Sequence, residues 1–169
     1  MKHIMATAGI CLTLAAPAAA QPTAAGRIRG RGIGESFRPV LGTQVSEHTV
    51  TLKFGADDNR PVFTVEFVTR IGDHQPAAPG VVDIIITQVQ SEDETPAMAV
   101  QVDGETQSVP ARLKTRRSIA TTMPFDAWEK LTAANTIIYR AFGEELEVSA
   151  GQMRMLRATV DRWTGPSRP

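Results

Sequence analysis

Cysteine is almost missing from this chain: among 169 residues there is only Cys11. Histidine occurs three times, aromatic residues make up 5% of the chain, and 18 basic side chains face 18 acidic ones. No apolar run is long enough to cross the roughly 30 Å hydrocarbon core of a bilayer. Each shortage excludes something. A formal charge of zero creates no overall field that would steer the protein to nucleic acid or an anionic membrane. No glycine-rich loop sits between a strand and a helix, where it would cradle a phosphate.

The first residues read as an export signal. Lys2 and His3 give a short basic start, Ile4 to Ala16 is apolar and uncharged, and Ala18-Ala19-Ala20 supplies the small residues of a cleavage site before Gln21. Ile10 stands where a lipidated cysteine would need a small neighbour, and there is no twin-arginine pair, so the general secretory route is expected. Cleavage after Ala20 leaves 149 of the 169 residues, with 17 basic and 18 acidic side chains, and removes Cys11. The mature protein then has no disulfide, thiolate nucleophile or zinc–thiolate site. Its expected place is a bacterial periplasm or the medium beyond it, with no transmembrane segment.

Residues 21–44 are rich in glycine, arginine and proline and show little apolar periodicity. They predict a mobile arm, because so many glycines lose too much entropy on ordering. Beyond it a single globular domain is expected over 45–164, followed by a polar tail at 165–169. Val50, Leu52 and Phe54 alternate with polar residues, as do Phe63, Val65 and Phe67. Val81 to Val89 is apolar on nearly both faces, as a central strand would be. Met98, Val100 and Val102 lead into Asp103-Gly104, a hairpin turn signal, and a return strand over 106–109. One further strand is expected over 113–121. Phe125, Trp128 and Leu131 then fall at helical spacing behind Pro124, with Asn135 as a left-handed stop. A hairpin follows over 136–148, turning at Gly143-Glu144. Ser149 and Gln152 form a capping box, and Met153, Leu156, Val160 and Trp163 make one helical stripe. The fold class is therefore mainly β or α+β: an antiparallel sandwich or meander of about seven to eight strands, with one helix before and one after the last hairpin.

Candidate chemistry is sparse. His48 and His74 remain after cleavage; Asp73-His74 offers two metal ligands, but no further histidine or cysteine lies nearby at ligand spacing, and both histidines read as ordinary exposed residues. Ser36 lacks the closing glycine of a nucleophile elbow. The acidic groups Asp57-Asp58, Glu92-Asp93-Glu94 and Glu144-Glu145-Glu147 lack calcium-loop register and read as solvated strand boundaries. Trp128 and Trp163 lie on apolar stripes and read as core. No catalytic residue, metal or cofactor is assigned. Arg27, Arg29 and Arg31 on the arm, with Arg116 and Arg117 on the body, are the candidate contacts for a partner, and would form one patch if the arm faces the body. An envelope protein or anionic envelope component suits them, and nucleic acid does not.

The order of features in the second half resembles the invasion-associated locus B proteins and related exported domains. It comprises the Asp103-Gly104 turn, Met123-Pro-Phe-Asp-Ala-Trp-Glu-Lys-Leu-Thr-Ala-Ala134, the hairpin around Ile137 to Gly143, and Val148-Ser149 with Leu156-Arg157. That family carries a characteristic cysteine pair, which the mature chain here lacks. The resemblance implies an exported β-rich domain of accessory or interaction type and supplies no catalytic residues. Residues and resemblance together suggest a non-catalytic exported binding protein. The alternative is a small hydrolase or ligand-binding enzyme whose carboxylate and histidine groups meet only in three dimensions.

Overall fold

The computed structural model describes residues 27–55, 62–72, 79–89 and 97–165. The export signal, Asp57-Asp58, His74, Glu92-Asp93-Glu94 and residues 166–169 lie outside the described residues. Ten strands and two helices follow one another: β1 (Arg27–Pro39), β2 (Val45–Phe54), β3 (Phe63–Gly72), β4 (Val81–Gln88), β5 (Met98–Val102), β6 (Glu105–Val109), β7 (Arg112–Thr115), β8 (Ser118–Pro124), α1 (Phe125–Ala133), β9 (Ile137–Ala141), β10 (Glu144–Glu147) and α2 (Ala150–Thr164).

The protein is mainly β, with one helix before and one after the last hairpin. The strand count and the pairing differ from expectation. The strands form one hydrogen-bonded series in the order β6-β5-β9-β10-β1-β2-β3-β4-β8-β7, and it is mixed, because β1 runs parallel to β10. Two additions raise the count. The stretch expected as a single strand over 113–121 turns at Arg116-Arg117 into β7 and β8. The supposed arm supplies the other: from Arg27 to Pro39 it is β1, so the folded body begins well before residue 45.

β1 joins the two halves of the series. Arg27, Ile28 and Arg29 pair with Glu145, Leu146 and Glu147 of β10. A bulge between Gly30 and Gly32 then shifts the strand, and Gly32 to Pro39 pair with β2. The extra residue lets both Ile28 and Ile33 pack on the core despite their odd spacing. α2 is fastened at this bulge. Gln152 is buried, its Nε2 donates to the carbonyls of Gly32 (2.8 Å) and Lys53 (3.2 Å), and its Oε1 accepts from Ser149 N (3.1 Å). The capping box is therefore present and also bolts the helix to two strands.

The two halves share one core. Along the inner face of β3, Phe63 meets Phe142 beyond β9 (ring centroids 6.4 Å apart), and Phe67 meets both Tyr139 of β9 (6.2 Å) and Trp128 of α1 (5.7 Å). Trp128 in turn stacks on Trp163 of α2 at 5.1 Å and 27°. The helices thus fill the interior towards the later part of β3. Both tryptophans are core residues, as their stripes predict. α1 ends without a left-handed residue: Ala134 is extended, and the Asn135 and Thr136 amides donate to Asp103 Oδ1 at 2.9 and 2.8 Å. Arg157 of α2 donates to the carbonyls of Thr132 and Ala134, placing a cation where the helix dipole favours one. Asp103-Gly104 and Phe142-Gly143 are the hairpin turns, each with both residues at positive φ, so the second turn lies one residue before the expected Gly143-Glu144.

Candidate functional site

Alternation along β2 builds the site. Phe54, Leu52 and Val50 point into the core, and the same phase continues to His48 and then Ser46. The inner face therefore changes from apolar to polar within the strand. Opposite, β1 runs antiparallel in matching phase, with Ile33 against Leu52, Glu35 against Val50 and Phe37 against His48. β3 adds Ile71. Beyond Val50 the apolar filling stops, and a cavity of about 500 Å³ opens between these strands and the carboxyl end of α2. That volume lies within the range of small-molecule sites.

Three rings shape it. Phe37 stands edge-on to His48 at 4.7 Å, and His48 stands edge-on to Trp163 at 6.3 Å. Phe37 is 62% exposed although its cross-strand phase directs it to the inner side. Such an aromatic would ordinarily be covered, which marks the mouth of the cavity. At the rim, Arg162 of α2 pairs with Glu35 of β1, and both bond the Thr159 hydroxyl, at 2.9 Å from Glu35 Oε1 and 3.0 Å from Arg162 Nη2. Among the described residues only Nη2 of Arg162 is engaged. Its other donors are available to an anion at the rim.

His48 was expected to be an ordinary exposed residue before a strand. It lies within β2, half-buried in the cavity wall. The signal for this was its phase with Val50, Leu52 and Phe54. Ser36 pairs with Thr49 while Phe37 pairs with His48, so alternation puts the Ser36 and His48 side chains on opposite faces. A nucleophile and its base need one face.

The five candidate arginines do not gather. Arg27 Nε lies 3.2 Å from Glu145 Oε2, and both Arg27 and Arg29 approach Glu147 at 3.8 Å. Arg140 also binds Glu145, at 2.8 Å. The acidic run read as a solvated strand boundary is thus the cross-strand partner of two of these arginines. Arg31 sits at the bulge. Arg116 and Arg117 form the β7–β8 turn, and β2, β3 and β4 lie between β1 and β8 in the sheet.

Glu145 has a titration signature. Desolvation alone would raise its carboxyl, but hydrogen bonds from Arg27 and Arg140, with their charges, hold it below the ordinary carboxylate value. A lowered folded pKa means a contribution present above the unfolded pKa and lost as pH falls through the folded one. Glu145→Gln is therefore expected to cost about 0.5–1 kcal/mol at neutral pH, as partly exposed pairs do. Urea titrations should show the gap to the parent chain closing in acid. A gap that stays constant with pH would contradict the pairing.

Among the described residues there is no group of three or more histidine, cysteine or carboxylate side chains able to hold a metal ion, and no helix is long and apolar enough to cross a membrane. Comparison with protein-family models, with curated proteins and with solved structures gives no match.

Proposed function

We propose that this chain is an exported, non-catalytic binding domain whose cavity takes a small apolar or aromatic acid. One observation carries the reading: the inner face changes from Val50 to His48 at a cavity of about 500 Å³, with aromatic walls and, at its rim, Arg162 donors that no described residue engages. Phe37, Ile71 and Trp163 offer apolar surface to a ring or short chain. A carboxylate on that ligand would meet the Arg162 guanidinium, whose planar fork matches it. Export rests on the leader sequence, and the accessory role on the resemblance to the invasion-associated locus B proteins. The alternative, an enzyme that sets a carboxylate beside a histidine, would rest on Glu35 and His48, which line the same cavity; the pairing of Glu35 with Arg162 favours binding over that reading.

A titration with 2-naphthoate, followed by tryptophan emission, tests this. Saturable quenching is expected, since Trp163 lines the cavity and stacks on Trp128. Arg162→Gln should weaken it by roughly tenfold, the value of one charge-assisted hydrogen bond. Naphthalene-2-carboxamide, the neutral analogue, should bind the parent chain about as weakly. Equal affinity for acid and amide would remove Arg162 from recognition, and quenching that never saturates would remove the cavity.

A further inference from the structure

We propose that the outer edge of β7 docks an extended acidic polypeptide segment, which would join the sheet as a further strand. β7 is the last strand of the series, and among the described residues it is hydrogen-bonded only to β8. Among the described residues no strand pairs with its outer backbone groups, the arrangement that invites another chain. Every residue from Arg112 to Arg117 is exposed, and four of the six are cationic: Arg112, Lys114, Arg116 and Arg117. Arg112, Lys114 and Arg116 make no ion pair among the described residues.

Lysine or arginine on an edge commonly keeps other strands away by like-charge repulsion. The same charges select for a strand of opposite sign. This protein contains that arrangement once already: β1 presents Arg27 and Arg29 to β10, which presents Glu145 and Glu147 in register. Leu113, 46% exposed between Arg112 and Lys114, adds an apolar contact for a residue between two acidic ones. The occupant is therefore an extended segment alternating acidic and apolar residues. Strand addition draws affinity from the main chain and selectivity from alternate side chains. A membrane surface would use the cations but leave the open backbone unpaired.

Fluorescence anisotropy on the full chain with a labelled Glu-Val-Glu-Val-Glu peptide tests the proposal. Saturable binding is expected, weakened roughly tenfold in Arg112→Gln/Lys114→Gln/Arg116→Gln, because exposed ion pairs contribute modestly and together. A peptide N-methylated at alternate residues keeps its charge but cannot pair along the edge, and it should fail to bind. Equal binding of the methylated peptide would overturn strand addition in favour of charge alone. Binding to phosphatidylglycerol vesicles without binding to the peptide would overturn the polypeptide partner. Neither result depends on how a variant folds, and neither bears on the cavity.

Discussion

Gly30→Ala is expected to destabilise the fold by about 2–4 kcal/mol, the range for forcing an extra group into a packed site and breaking buried hydrogen bonds. A Cβ at Gly30 would sit 1.6 Å from Gln152 Oε1 and 2.4 Å from the carbon bearing it. The amide cannot simply swing away, because its nitrogen donates to Gly32 and Lys53 and its oxygen accepts from Ser149. Moving it takes that partner from three part-buried backbone groups. Gln152→Ala should cost a similar amount for the same reason, well above the roughly 1 kcal/mol expected for Ser149→Ala, which removes only the cap. The two positions should also be coupled. With Gln152 shortened, the methyl of Gly30→Ala has room, so the double variant should lose at least about 1 kcal/mol less than the two single losses combined. Urea denaturation of the four proteins reads this directly, and strict additivity would contradict the bolt.

Trp128→Ala is expected to cost about 3–5 kcal/mol, the range for emptying a large aromatic site. Trp128 is fully buried and touches Phe67, Phe125 and Trp163, so its removal uncouples α1 from β3 and from α2 together. Tyr139→Phe is the informative contrast. Tyr139 is equally buried, and burial pushes its phenol well above the ordinary value. Among the described residues its hydroxyl has no hydrogen-bond partner. Deleting that oxygen should cost nothing or stabilise slightly, because an unpaired buried hydroxyl is a penalty. A loss above about 1 kcal/mol in Tyr139→Phe would show that the hydroxyl is satisfied, by water or by a segment outside the described residues.

The parts of the fold that could be read from the sequence are those set by local patterns. Val50, Leu52 and Phe54 reveal β2, Asp103-Gly104 reveals its hairpin, and Ser149 with Gln152 reveals the start of α2. β1 could not be read this way. Its glycines and arginines look like a tail because the reasons for them lie more than a hundred residues away. Gly30 makes room for Gln152, and Arg27 and Arg29 face Glu145 and Glu147. The bulge then breaks the period of two that would have exposed Ile28 and Ile33 as one face. The split of β7 from β8 was hidden for a different reason, since Arg116-Arg117 carries no glycine, proline or asparagine to mark a turn. Half of the candidate site was legible: the phase of His48 with Val50 places it on the inner face. Arg162 and Glu35 were not, because their pairing depends on where α2 ends over β1.

The claim that the cavity is the ligand site is tested most directly by proton NMR of the histidine ring as 2-naphthoate is added. The His48 resonances, assigned by their loss in His48→Gln, should shift progressively and saturate at the concentration at which tryptophan emission saturates. In Phe37→Ala the shift should be reduced. Saturable quenching with an unmoved His48 signal would place the bound acid elsewhere and contradict the account.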